Sequence, residues 1–244
     1  LNFFLNAPVF RVGILAGPQA EIMTVVKNVA ANNGLEIRIV EFKDPLELNK
    51  ALEKGEIEAN IFQHEPYLNS VVEERKMSIA ASGRTTVQPL GLYAKTVASV
   101  DALLPGSVIL IPNDPVNGSR ALLLCEQAGL IKLKPAAGLS AGIRDISANP
   151  RSLVFRETDI AGALHGITNG DSAVLGVNAL PLAGFTVQAA LISEDSASPY
   201  ATVIAVAAKN RNNPAMIQLL KAYQSAAVKQ FILDRFHGMI VPAW

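Results

Sequence analysis

A single cysteine, Cys125, rules out an internal disulfide and any site that needs several thiolates. Neither sign of charge is in excess: 21 Lys and Arg stand against 21 Asp and Glu. No positive field is therefore available to hold a polyanion, which argues against nucleic acid as a partner. Hydrophobic residues make up 50% of the 244 positions, yet charges or turn formers break every apolar stretch before it reaches the roughly 18 residues of a membrane span. A folded body follows, long enough for one large domain or two lobes of ordinary size. The opening LNFFLNAPVF lacks the basic start and long apolar region of a secretory leader. A leader or anchor removed beforehand would leave the same beginning.

Catalytic chemistry is also thinly represented. His64, His165 and His237 are far apart, without HExxH or HxH spacing, so no metal site is expected. Cys125 follows a run of leucines on a helix and reads as a packing residue rather than a nucleophile. No Walker loop, dinucleotide fingerprint, SxxK pair or nucleophile elbow is read, and no cofactor is implied.

What is present is alternation of strand and helix. RVGIL (Arg11 to Leu15) predicts a strand, and Ile22, Val25, Val26, Val29 and Ala30 put one apolar face on a helix from about Glu21 to Asn32, with Gly34 closing it. EIRIVEF is the next strand, Pro45 to Lys54 a short helix ending at Gly55, and EANIF a third strand leading into QHEPYL. A second run holds SVDALL as helix, SVILI as strand, a helix in SRALLLCEQAG, the strands SLVFRE, SAVLGV and QAALI, and a helix near Asp159 to Thr168. SPYATVIAVAAK reads as an extended return, and Pro214 to His237 as mostly helical. The expected class is α/β with two three-layer lobes, 1–91 plus 200–244 and 92–199, the crossovers facing a cleft. A single doubly wound sheet fits the periodicity too.

Four segments carry candidate contacts. In PNDPVNGSRALLLCEQAG, turn formers precede a helix whose first residues include Asn117, Ser119 and Arg120. Helix N–H donors and a guanidinium fork suit an anionic small molecule. The plain alternative makes Asn113, Asp114 and Ser119 turns and caps, with Arg120 paired to a surface acid. In NIFQHEPYL, a strand ending near Phe62 places Phe62, His64 and Tyr67 where α/β sheets bind ligands; the same residues also make sense as core and turn. Thr86 and Gln88 share one side of RTTVQPLGLY if that strand is regular. Asn178 ends SAVLGVN, at a strand end or an ordinary turn.

Taken in order, GEIEANIFQHEPYL, PNDPVNGSRALLL, AVLGVN and EDSASPYATVIAV resemble the NlpA family, the methionine-binding lipoproteins of bacterial ABC importers, from RVGILAG to the terminal VPAW. The resemblance implies a type II periplasmic-binding-protein fold, two α/β lobes closing on a ligand cleft, and an extracytoplasmic, possible lipid-anchored location. It implies methionine or a related amino acid as ligand, an ABC permease with its ATPase as partner, and no catalysis, metal or cofactor. Carried onto this chain, the ligand contacts are Phe62, His64, Tyr67, Asn117, Arg120 and Asn178, with Arg120 on the α-carboxylate and Asn178 fixing the amino-acid backbone. Where the family presents aromatics, this chain has Thr86 and Gln88, which weakens the expected grip on a thioether. Arg144, in GLSAGIRDI, either reaches the cleft or stays solvated. Another neutral amino acid, a short peptide, an enzyme using the same cleft and a sensory binding module remain alternatives.

Overall fold

Alternation of strand and helix organises the first passage of the chain. The computed structural model describes residues 9–244; the opening LNFFLNAP, with the reading made of it as no secretory leader, lies outside them. In order come β1 (Phe10–Leu15), α1 (Pro18–Asn32), β2 (Ile37–Phe42), α2 (Pro45–Lys54), β3 (Ala59–His64), α3 (Glu65–Arg75), β4 (Ile79–Arg84) and β5 (Thr86–Val87). α1 starts three residues ahead of its expected Glu21, because Pro18 has the backbone angle of a first helical turn and needs no N–H there. Its buried residues, Ile22, Met23, Val26 and Ala30, recur at helical spacing. α2 is bounded by local chemistry alone. The Asp44 carboxylate accepts from the Leu46 N–H at 2.8 Å, and Gly55 closes the helix at φ 74°, where a side chain would be strained.

The second passage holds β6 (Leu90–Tyr93), β7 (Val108–Pro112), α4 (Pro115–Gln127), β8 (Lys132–Leu133), β9 (Ile146–Ala148), β10 (Val154–Thr158), α5 (Ile160–Thr168), β11 (Ser172–Gly176), α6 (Leu180–Ala183) and β12 (Ile192–Ser193). Five of these strands form a sheet in the order β10-β7-β11-β6-β12, with β7 parallel to both β10 and β11. β6 runs antiparallel to β11 and β12, and β8 pairs with β9 apart from the sheet. SVDALL gives only a 3-10 turn at Val100–Ala102, since Pro105 and Gly106 follow too closely for a longer helix. QAALI is likewise shorter than expected. Val187–Ala189 turns, and only Ile192–Ser193 reaches the sheet edge to pair with β6.

The return passage adds β13 (Thr202–Ala207), α7 (Pro214–Tyr223), α8 (Ala226–Phe236) and β14 (Val241–Pro242). β13 inserts antiparallel between β3 and β4, giving the order β2-β1-β3-β13-β4, and β14 pairs with β5. Ser225 divides the last helical stretch by capping α8, its hydroxyl accepting from the Val228 N–H. The described chain thus forms two compact units, 9–87 with Ser196–Trp244 and Gln88–Asp195. Two separate mixed sheets with helices packed on them exclude the single doubly wound sheet. In the first unit, Ile14, Ile61 and Ile204 share a core with residues of α1, α7 and α8, among them Tyr223; in the second, Leu122 and Cys125 of α4 share a core with Leu92 and Ile109.

Burial gives two side chains an alkaline signature. It pushes the Cys125 thiol from 9.0 up to about 12 and the Tyr223 phenol from 10.0 up to about 12. Both groups are neutral when protonated, so the unfolded chain loses these protons first as pH rises. Their contribution to stability is complete below about pH 9 and is lost towards pH 12. We therefore expect the melting temperature to fall progressively across that window. The folded protein should also leave Cys125 unreacted with a thiol-specific disulfide reagent until denaturant is added; prompt reaction at neutral pH would contradict its burial.

Candidate functional site

In the first unit, the strand-to-helix corner at β3 and α3 gathers aromatic rings. Phe62 and His64 share one face of β3, and His64 caps α3, its Nδ1 accepting the Tyr67 N–H at 3.1 Å. That bond assigns the proton of the neutral ring to Nε2. Tyr67 meets Phe62 edge to face at 6.4 Å and His64 at 6.3 Å, while Tyr200 closes on His64 at 5.3 Å and 90°. Tyr200 is not among the residues expected from the sequence, although it lies within the SPYATV block. β13 pairs Thr202 with His64, which carries Tyr200 to the corner. On the opposite face Gln63 is buried in an amide cluster. Asn49 Nδ2 donates to Gln63 Oε1 at 2.9 Å, and Asn49 Oδ1 accepts from Gln63 Nε2 at 2.8 Å and Asn60 Nδ2 at 2.9 Å.

In the second unit, the carboxyl ends of β7, β10 and β11 surround a pocket of about 540 Å³. Such strand ends are where α/β sheets bind ligands. Leu90, Val174 and Leu175 contribute apolar surface, while Asn113, Asp114, Asn117, Thr158 and Asp159 contribute polar groups. Two of the polar residues are helix caps. Asp114 Oδ1 accepts the Asn117 N–H at 2.9 Å and its Oδ2 accepts Asn117 Nδ2 at 3.1 Å; Asp159 accepts the Gly162 N–H at 2.8 Å. Helix N–H groups expected to meet an anion are thus already engaged by carboxylates of the chain. Among the described residues lining this pocket none is cationic, so its field suits an ammonium better than a carboxylate.

Arg120 is placed differently from the expectation of a ligand clamp. Its Nε donates to Glu194 Oε1 at 2.7 Å and its Nη2 to Glu194 Oε2 at 2.5 Å, with a further bond from Nη2 to the Gln88 carbonyl at 2.8 Å. Relative exposures of 9% and 8% make this a buried pair. The carboxylate held by its fork is the chain's own, as in the plain alternative reading of that segment, except that the acid is buried. Ser119 neither caps α4 nor faces the pocket; its hydroxyl donates to the Leu139 carbonyl at 2.9 Å.

The other candidates are scattered. The strand expected to carry Thr86 and Gln88 on one side ends at Val87, because Pro89 has no N–H to continue a ladder. Thr86 is buried opposite Pro242 and close enough to the Tyr223 phenol to hydrogen-bond it, whereas Gln88 is exposed and lies in the other unit. Asn178 sits exposed in the 3-10 turn after β11, between Val177 and Ala179. Arg144 is exposed in the turn Ile143–Asp145. Contrary to the expectation that the chain has no such spacing, G-x-S-x-G occurs once, at Gly138 to Gly142. It lies in the 3-10 segment Pro135–Ser140 instead of a strand-to-helix turn, which removes the geometry of a nucleophile elbow. Among the described residues, no group of three His, Cys, Asp or Glu is placed to hold a metal ion.

Gly118 brings α4 against the β7 end of the pocket. A Cβ built there would stand 2.9 Å from the Pro112 carbonyl oxygen, a backbone atom that cannot swing aside. Gly118→Ala should therefore destabilise the protein by about 1–3 kcal/mol, reversing the roughly 1 kcal/mol gain usual for this change within a helix. Urea denaturation gives the sign directly.

Two units, each a mixed sheet with helices packed on it, the first completed by the returning chain and the second holding a pocket at its strand ends, define the class of type II periplasmic binding proteins. The profile of the NlpA lipoprotein family matches residues 10–244. The D-methionine-binding lipoprotein MetQ of Escherichia coli K12 is 33% identical over 238 residues, covering 96% of this chain and 88% of MetQ. A nutrient binding protein of Burkholderia cenocepacia, solved bound to methionine, is 40% identical with a TM-score of 0.72, covering 96% of this chain and 100% of that one. A periplasmic substrate-binding protein of an ABC transporter from Coxiella burnetii is 39% identical with a TM-score of 0.73, again over 96% and 100%. This chain belongs to the NlpA lipoprotein family, and so to the extracytoplasmic substrate-binding proteins of ABC importers.

Proposed function

We propose that this protein captures methionine, or a neutral amino acid close to it, and delivers it to an ABC permease whose ATPase drives transport. The observation that carries the reading is the corner where Phe62, Tyr67 and Tyr200 surround His64. Aromatic edges attract a polarizable thioether by about 0.3–1.5 kcal/mol per contact, beyond the area they bury. His64 stands at the centre of this group and is counted with Phe62 and Tyr67 among the proposed ligand contacts. In the second unit, Asp114 and Asp159 favour the ligand's ammonium, and the Asn117 and Asn178 amides orient its backbone. Binding and release are the whole of the chemistry, and differential contact with the ligand shifts the protein's conformational population.

Native mass spectrometry of the purified protein, followed by denaturing extraction and chiral analysis, tests this reading. Stoichiometric methionine is the expected result, and its enantiomer sets the stereochemical preference. A different solute reassigns the ligand, while an empty protein that rejects amino acids after refolding overturns the reading. Tyr67→Ala should raise the methionine Kd on the order of 30-fold, the effect of deleting an aromatic anchor worth about 2 kcal/mol. Calorimetry on refolded, ligand-free protein checks it.

A further inference from the structure

The chain enters the second unit at Val87–Gln88 and leaves it at Asp195–Ser196. Within the second unit one buried pair touches both passages. Arg120 Nη2 donates to the Gln88 carbonyl at 2.8 Å, and Glu194, held by both arms of Arg120, accepts the Leu90 N–H at 2.8 Å. Within the first unit a second arginine does the matching work. Arg84 Nη2 donates to the Ser196 and Ser198 carbonyls, each at 2.8 Å, and the next residue, Thr85, bonds the Thr202 carbonyl through its N–H and its hydroxyl. Between these two sets of bonds lie only the short steps at Val87–Gln88 and Asp195–Ser196.

We propose that Arg120 and Glu194 are a positioning pair: they fasten the entering and leaving passages to the second unit, confine backbone rotation to those two steps, and govern ligand affinity without touching the ligand. The proposal rests on the binding-protein reading and replaces the expected contact between Arg120 and a ligand carboxylate. A ligand could take the guanidinium fork only by displacing Glu194, leaving a buried carboxylate stripped of its bidentate partner. Hinges in proteins of two units are commonly a few residues at element ends that absorb the change in backbone angles, so what holds their flanks sets which orientations are accessible.

The test uses the full chain, refolded free of ligand, as wild type, Arg120→Gln, Glu194→Gln and the double variant. Calorimetry measures Kd for L-methionine and for its carboxamide, which lacks the carboxylate. Each single variant is expected to weaken L-methionine by about 5- to 100-fold, the range of coupling from a remote element to a site. The double variant should be little worse than the weaker single, and the preference for acid over carboxamide should stay as in wild type. Collapse of that preference in Arg120→Gln alone makes Arg120 a ligand contact and overturns the proposal, as do single variants that bind like wild type. Hydrogen exchange provides a readout independent of any ligand: the amides of Gln88, Leu90 and 194–196 should exchange at least about tenfold faster in Arg120→Gln, with Thr85 unchanged. Unchanged protection there overturns the fastening role. A wild type that binds no amino acid defeats the functional reading instead, while the exchange result still decides what the pair does.

Discussion

Glu194→Ala should lower stability by about 3–5 kcal/mol, the usual cost of removing one partner from a buried ion pair. Three donors lose their acceptor at once: the two arms of Arg120 and the Leu90 N–H. Arg120, 9% exposed, cannot recover its hydration without disturbing the helix that carries it. Urea denaturation followed by circular dichroism measures the loss, fitted for two transitions if the units unfold separately. The double variant Arg120→Met with Glu194→Ala is the instructive control. Removing both charges takes away the desolvation penalty and leaves the Leu90 N–H and the Gln88 carbonyl to find other partners, so it should be more stable than Glu194→Ala alone. Equal losses in the single and double variants would show that the charge is not what matters.

The amide cluster beneath the aromatic corner gives the second large effect. Asn49→Leu keeps the branched outline of the side chain but deletes the donor to Gln63 Oε1 and the acceptor shared by Asn60 Nδ2 and Gln63 Nε2. Those two donors retain the Leu48 carbonyl at 3.3 Å and Asn60 Oδ1 at 3.1 Å, whereas Gln63 Oε1 loses its bond with Asn49 in a side chain only 3% exposed. One stranded acceptor and two weakened donors amount to about 2–4 kcal/mol of lost stability. Gln63 lies between Phe62 and His64 on β3, so the same change should loosen the aromatic corner and raise the ligand Kd. Stability measured by denaturation and affinity measured by calorimetry should therefore move together; an affinity unchanged in a destabilised variant would separate the cluster from the corner.

How much of this was legible in the chain depends on the distance over which each feature is decided. α2 could be read to the residue, because Asp44, Pro45 and Gly55 settle both of its ends within a dozen positions. The caps of α4 were equally local, and Asn113, Asp114 and Asn117 gather where a turn before a helix puts them. Arg120 could be placed on its helix but its partner could not, since Glu194 lies 74 residues away and nothing in the spacing joins them. Tyr200 was hidden for the same reason: only the pairing of β13 with β3 carries it to His64. Thr86 and Gln88 are separated by strand length, because their shared side depends on a regular strand. Alternation puts them on one side, but that argument fails once Pro89 stops the ladder and the chain changes unit. The two α/β runs were visible from periodicity, while the order of strands within each sheet required contacts that periodicity does not contain.

The place of β13 in its sheet also bears on how the newly made chain matures. β3 and β4 are not hydrogen-bonded neighbours in the first unit's sheet; the strand that bridges them, Thr202–Ala207, is synthesised more than a hundred residues after β4. The second unit is one uninterrupted stretch, 88–195, and can condense as soon as it emerges. Until β13 arrives, β3 and β4 present open ladder edges beside apolar residues such as Ile61 and Ile79, which is the surface that nascent-chain chaperones bind and that aggregates by edge pairing. A nascent chain arrested before residue 202 therefore keeps a foldable second unit attached to a first unit that lacks its bridging strand.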